Sequence, residues 1–412
     1  MIPIAIEELA DLGLGELNGA GDITGLQIDS RRIQQGDLFV AIRGGREFIE
    51  EARNRGAATL VPNDEFEAMA VLGQVLRGRS RARFVGVTGS TGKTSTKDIL
   101  AALCAPVART VWTEGSYNAE LGVPLTLGRL EPETEVCIVE MGMRGFGQIA
   151  SLCEIVRPHV GVISAIGPVH LELVGSVDGV ARSKAELVTA LPPDGIAVVP
   201  QSAELEPHLR GDIEILRVPP VDVELREGGA DVAFGNRRIR FPLTSRHQAQ
   251  NALTALIAYE AMDLPLDRVE ESAAKVQLSK WRGEELPLPG GGFVINDAYN
   301  ANPTSMEAAL RHLAERGAGR RRIAVLGGMA ELGDHAEQHH SEIAALADDL
   351  GVEVIAVGEL ARAYGTDGWE PDAAAALTAA RALVGPCDAV LVKASRSVGL
   401  EGIAPILAND SA

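Results

Sequence analysis

From Phe84 onward the chain repeats one pattern: an apolar run of strand length, a glycine or polar residue at its end, then a stretch with helical spacing. FVGVT, VCIVEM, VGVISAIG and IAVVP are the runs, and KTSTKDILAALCA and SVDGVARSKAELVTAL lie among them. Runs that are apolar throughout, rather than alternating, predict strands buried on both faces, hence a doubly wound, mostly parallel sheet. The residues before Phe84 are patterned differently. LQIDS, DLFVAIRGG and TLVP predict short strands and FIEEARNRGA a helix, so a small α/β domain is expected. GQVLRGRSRAR, Gly73 to Arg83, is basic, lacks sustained periodicity and predicts that domain's end. After a polar, strand-rich interval from Leu216 to Leu243, HQAQNALTALIAYEAM predicts a helix and LPLPGGG a break. GFVIND, RRIAVLGG, VEVIAVG and AVLVKAS then predict a second α/β series, with EPDAAAALTAARALV as one of its helices. The expected organisation is three α/β domains in tandem, over 1–81, 82–281 and 282–412, the last Rossmann-like.

Composition narrows the function classes. With 412 residues, 46% of them hydrophobic, the chain has the make-up of packed domains. A formal charge of −19 opposes binding to a nucleic-acid backbone, which needs clustered Lys and Arg. No apolar run spans a bilayer, and MIPIAIEELADLG carries acids where a secretory signal needs basic residues, so a cytoplasmic protein is expected. Cys104, Cys137, Cys153 and Cys387 have no paired spacing and read as reduced thiols. Lysine is scarce, standing at 93, 97, 184, 275, 280 and 393 only, while arginine supplies the other 32 basic residues.

One of those lysines sits in GVTGSTGKTST, Gly86 to Thr96, between a predicted strand and a predicted helix. Gly89, Ser90, Thr91, Gly92, Lys93, Thr94 and Ser95 predict a phosphate-binding loop: backbone N–H groups turn inward, the helix start is positive, Lys93 meets terminal phosphates and Thr94 a magnesium ion. The loop is short by the general pattern, which places its first glycine where Val87 stands. Glu140 ends an apolar strand, where a carboxylate needs a cation or a hydrogen-bond partner. His170 follows a Gly-Pro turn and could ligate metal or cap a loop, and Lys184 lies on a predicted helix, where a solvated charge is the default. Asn251 shares a helix face with His247 and could read an adenine edge or bond a neighbour. Arg282 and Asp297 stand at a domain junction and a strand end, suited to a bridged ligand or to an interdomain salt bridge.

Together GSTGKT, SYNAELGVP around Asn118, EMG at Glu140, IGPVHLE, ARSKAE, HQAQN, WRGE and NDAYNANP resemble the Mur ligases, ATP-dependent amide-forming enzymes of bacterial peptidoglycan synthesis. Their order and spacing agree over nearly the whole chain. Within that family EMGMRGFGQI, INDAYNANPTSMEAAL, GGMAELGDH and VLVKASRS resemble the branch that adds D-alanyl-D-alanine to UDP-N-acetylmuramoyl-tripeptide. The YNANP and EMGM variants speak against the tripeptide-forming relative and against folyl-polyglutamate synthases. Three departures stand out: GREFIEE after Gly44 is short and lacks the usual Asp-Gly-His, Gly328 replaces an aspartate and Ala394 a glycine.

The resemblance implies roles. ATP and two magnesium ions are expected, with Thr94 and Glu140 holding one ion and His170 helping with the second. Lys184 is expected to be carbamylated, an anion beside the metal, and Lys93, Glu140, His170 and Lys184 form the catalytic set. Asn118, Asn251, Arg282 and Asp297 join the loop in nucleotide binding. Ser30 and Arg31 of an N-terminal UDP-binding domain, with Asn300, Asn302, Lys393, Ser395 and Arg396, are expected on the substrate side. A monomer acting on small molecules is expected.

Overall fold

The structure, a computed structural model, describes residues 1–409, so the very end of the expected 282–412 segment lies outside it. The apolar runs form a six-stranded sheet in the order Glu214–Val218, Ile196–Pro200, Val160–Ile163, Arg83–Thr88, Val136–Glu140, Thr110–Trp112. Every pairing in it is parallel. Residues 84–88, 136–140 and 160–163 are all buried, as strands covered by helices on both faces must be. The chain leaves Arg83–Thr88 for the edge strand Thr110–Trp112, returns to Val136–Glu140, and then crosses to Val160–Ile163 on the other side. That reversal opens a crevice above the carboxyl end of Arg83–Thr88, where sheets of this kind take ligands.

The polar interval divides in two. Glu214–Val218 extends the central sheet, whereas Val223–Arg226, Gly229–Phe234 and Arg237–Phe241 form a separate antiparallel sheet. Its buried residues pack beside the helix Arg246–Glu260, which lies against Lys93–Cys104.

The C-terminal sheet runs Glu284–Pro287, Phe293–Asn296, Ala389–Lys393, Arg322–Gly327, Val352–Val357, Trp369–Glu370. Only the first of these strands is antiparallel to its neighbour. The N-terminal sheet has four strands, Gly15–Asn18, Ala58–Pro62, Asp37–Val40 and Gly25–Gln27.

Two local expectations change. FIEEARNRGA is helical only over Ile49–Asn54, after the tight turn Gly45–Phe48. Gly73 to Arg79, which the weak periodicity assigned to a connection, is the second half of the helix Glu65–Arg79, capped by Asp64 on the amides of Phe66 and Glu67. Tertiary packing holds it where a clear apolar stripe does not. A Cβ added at Gly73 would lie 2.7 Å from Ile155, so glycine lets the helix approach the central domain. Arg77 donates to the Val156 carbonyl at 2.6 Å and stacks 4.0 Å above the Phe84 ring, covering its stem rather than waving in water. The passage to the central sheet is therefore residues 80–82 alone.

At the other junction, Ser279 donates both its amide and its hydroxyl to Asp98 Oδ2, at 2.9 and 2.7 Å. Asp98 lies on Lys93–Cys104, so the strap to the third domain is tied to the helix that opens at the glycine loop. Among the described residues, no helix is long and apolar enough to cross a membrane.

Candidate active site

The loop of residues 89–92 lies at the crevice, between the strand Arg83–Thr88 and the helix Lys93–Cys104. Its glycines are required by what surrounds them. Gly89 has φ 147° and a Cβ there would fall 2.1 Å from Ser164 Oγ; Gly92 has φ 78° and its Cβ would fall 2.3 Å from Asn251 Oδ1. Ser164 donates to the Thr91 carbonyl at 2.5 Å, and Ser90 exchanges hydrogen bonds with the backbone of Ala165 and Gly167, so the end of Val160–Ile163 braces the loop. The missing early glycine has a plain cause. Val87 is a fully buried strand residue facing Val162 and Glu140 in the ladder, part of the sheet and not of the loop.

Lys93 donates to the Gly89 carbonyl at 2.7 Å. Desolvation by the surrounding protein lowers its pKa, with Glu140 opposing the shift and Arg282 adding to it.

Glu140 is buried and doubly satisfied: Thr94 Oγ1 donates to one oxygen at 2.8 Å and Asn118 Nδ2 to the other at 2.7 Å. Arg282 reaches across from the third domain and donates to Thr94 Oγ1 at 2.7 Å, its guanidinium stacked 3.9 Å from the Tyr299 ring. Its Nε is buried with no hydrogen-bond partner among the described residues. A buried arginine N–H left without a protein partner beside the loop's Thr94 suits a phosphate oxygen. Asn302, the N-cap of the helix Pro303–Arg316, donates to the Ser90 carbonyl at 3.5 Å, so a second helix N-terminus faces the same loop.

Lys184 departs from its default. It is 1% exposed on the helix Val177–Thr189 and makes no hydrogen bond or ion pair among the described residues. Burial pushes its pKa well below the usual lysine value, and the charge of Lys93 lowers it further. The solvated-charge reading fails because this helix buries residues 183–185 together, and because Glu186 is turned away to cap Gln148–Val156 through the amides of Gly147 and Ala150, at 2.7 and 3.0 Å.

His170 has φ 53° and precedes the turn Leu171–Val174. Its Nδ1 lies 2.5 Å from Glu331 Oε2. The imidazole holds Glu331 below the usual carboxylate range. Asp297 meets Lys393 Nζ at 2.6 Å, and the same ammonium donates to the Asn300 carbonyl at 2.9 Å. Ser395 Oγ accepts from the Ala330 amide at 2.9 Å, and Arg396 stacks on Trp281 at 4.5 Å. In the N-terminal domain Ser30 is buried, while the exposed Arg31 pairs with Asp29 at 2.8 Å. Arg32 links that domain to Glu114 near Asn118, at 3.3 Å.

The fold therefore gathers Thr94, Asn118, Glu140 and Arg282 into one hydrogen-bonded centre, ties Lys93 back to Gly89, sets Asn251 against Gly92, and leaves His170 on Glu331. The departures also find reasons. A Cβ at Gly328 would meet Leu360 Cβ at 2.6 Å, which excludes an aspartate in this packing, and Ala394 Cβ occupies the space that a Cβ at Gly327 would need, 2.5 Å away.

Four contributors carried weaker sequence signals. Ser164 is a small polar residue at the end of an apolar strand, Asp98 and Ser279 pair across 181 residues, and Glu331 stood inside GGMAELG without an assigned role.

Comparison with known proteins supplies the family. Residues 22–91 match the family described as Mur ligase family, catalytic domain; residues 87–259 match the Mur ligase middle domain, and 281–396 the Mur ligase, glutamate ligase domain. The chain is 31% identical to the UDP-N-acetylmuramoyl-tripeptide--D-alanyl-D-alanine ligase of Escherichia coli, over 98% of each chain. A crystal structure of MurF from Acinetobacter baumannii superposes with a TM-score of 0.86 at 28% identity, covering 98% of this chain and 99% of the other. MurF ligase from Thermotoga maritima in complex with ADP gives 0.82 at 25% identity, covering 94% and 97%. A glycine loop braced at the switch point, an arginine reaching it from the third domain, and relatedness along the whole length place this chain in the Mur ligase family, on the branch of the UDP-N-acetylmuramoyl-tripeptide--D-alanyl-D-alanine ligases.

Proposed function

We propose that the chain joins D-alanyl-D-alanine to UDP-N-acetylmuramoyl-tripeptide at the expense of ATP, working as a monomer in the cytoplasm. A carboxylate is a poor electrophile because hydroxide cannot leave at neutral pH. The tripeptide's free carboxylate attacks the γ-phosphorus of ATP, ADP departs, and an acyl phosphate forms. The amine of the dipeptide then attacks the carbonyl carbon and loses a proton, and phosphate leaves from the tetrahedral intermediate as the amide closes.

Two anions must meet in the first step, so cations have to screen them. Lys93 and Arg282 supply positive charge at the loop, and the observation that carries the reading is Arg282: bonded to Thr94, stacked on Tyr299, with Nε buried and unpaired among the described residues. Its position also brings the third domain onto the loop, which keeps water from the acyl phosphate.

Thr94, Glu140 and His170, with Lys184 as its carbamate, would hold two magnesium ions; these are hard oxygen donors plus an imidazole, a set that fits the ion. Bound magnesium would neutralise charge developing on the transferred phosphoryl group. Lys184 supports the carbamate because a neutral amine is the form that adds carbon dioxide, and a buried, partnerless lysine is biased to that form. Asn251 lies against Gly92 of the loop, and Lys393 ties Asp297 to the Asn300 carbonyl, which suits both for the nucleotide side of the site.

The test is phosphate release with ATP and UDP-N-acetylmuramoyl-tripeptide, with and without D-alanyl-D-alanine, and the mass of the product. Release that requires the dipeptide and yields the pentapeptide is expected; release indifferent to the dipeptide would overturn the reading.

A further inference from the structure

The reading above leaves one charged group without a task. ATP and the UDP-linked peptide are anions, yet Glu331 presents a carboxylate against His170. Its backbone is in the left-handed region, φ 64°, which a glutamate adopts only when its surroundings impose it. Across the cleft Arg144 Nε lies 3.4 Å from the other oxygen of the same carboxylate. Arg144 is held by its backbone too: its amide donates to Gln148 Oε1 at 2.7 Å, on the loop that leads away from Glu140. Glu331's loop meets the His170 turn a second time where Gly333 comes against Glu172.

Resting on the proposed reaction, we infer that Glu331 and Arg144 form the subsite for the incoming dipeptide, Glu331 receiving its ammonium and Arg144 its carboxylate. The acceptor is a zwitterion, and its amine is the group that must reach the acyl phosphate. Glu331 stands beside His170, so an ammonium held there waits next to the acyl phosphate, and it attacks once it has lost a proton. The Arg144–Glu331 contact is longer than a tight charge-assisted hydrogen bond of about 2.7–2.9 Å, so each partner can exchange the other for a substrate charge at small cost. Arg144 is largely exposed, free to follow a carboxylate that an extended dipeptide carries up to about 7 Å from its amine.

Initial rates with wild type, Arg144→Met and Glu331→Gln decide the matter, with D-alanyl-D-alanine, its C-terminal amide, ATP, UDP-N-acetylmuramoyl-tripeptide and magnesium each varied. Both variants should raise the KM for the dipeptide about tenfold or more, the loss of one charged hydrogen bond, and leave the other requirements unchanged. Wild type should disfavour the amide, and Arg144→Met should accept amide and acid alike, a result that a merely structural role would not produce. The subsite is overturned if Arg144→Met discriminates as wild type does, or if Glu331→Gln shifts the magnesium requirement and not the dipeptide KM. A wild-type chain that does not couple D-alanyl-D-alanine at all overturns the functional reading, and the subsite with it.

Discussion

Lys184→Met separates what this residue costs the fold from what it supplies to the reaction. Lysine at this position is 1% exposed and partnerless among the described residues. From mutational data, a polar group buried without a partner costs about 1–3 kcal/mol. Methionine is unbranched, of similar reach and apolar, so it should recover most of that cost without opening a cavity. Melting should rise by about 2–4 °C for each kcal/mol in a unit of this size. The sign of the pH dependence follows from the depressed pKa. The unfolded chain binds the Lys184 proton more tightly than the folded one, so the penalty is fully present below the folded pKa. It fades as pH rises towards the ordinary value of 10.5. Differential scanning calorimetry in carbon-dioxide-depleted buffer should therefore show the variant above wild type near neutral pH, with the gap closing in alkali. Bicarbonate should narrow the gap by binding wild type alone. Pentapeptide formation should be lost in the methionine variant, whereas Lys184→Ala should be partly rescued by short carboxylic acids. A methionine variant that melts lower than wild type across this range, or turns over normally, refutes the reasoning.

Gly92→Ala should weaken ADP binding by calorimetry at least tenfold, since left-handed strain of about 1–3 kcal/mol is added to the Asn251 clash. Adding Asn251→Ala should restore only the steric part; full restoration by the double variant would show that φ strain is immaterial. Arg282→Ala should lower kcat/KM for ATP by about 10- to 100-fold, from one charged hydrogen bond and a cation–π contact, and an unchanged value would exclude the arginine from the site. Thiol labelling of the native chain near pH 7 should modify Cys387 alone, because burial pushes Cys104, Cys137 and Cys153 up to about 12. Mass spectrometry showing a second early adduct would contradict that.

Sheet class and the short phosphate loop were legible in the sequence by itself, since unbroken apolar runs dictate two-faced burial and glycine spacing dictates where a backbone can turn. The order of motifs also carried the family. Local patterning could not show that Gly73–Arg79 is helical, because the partners that hold it, Ile155, Val156 and Phe84, lie far along the chain. Nor could it choose between a solvated and a buried Lys184: a charged residue at one helical position looks the same until the packing of both faces is known. The tertiary structure decided these points, and with them the meeting of Glu140, Thr94 and Arg282, and of His170, Glu331 and Arg144. Burial, desolvation and ion pairing are sums over neighbours distant in sequence, so they exist only once the domains are folded together.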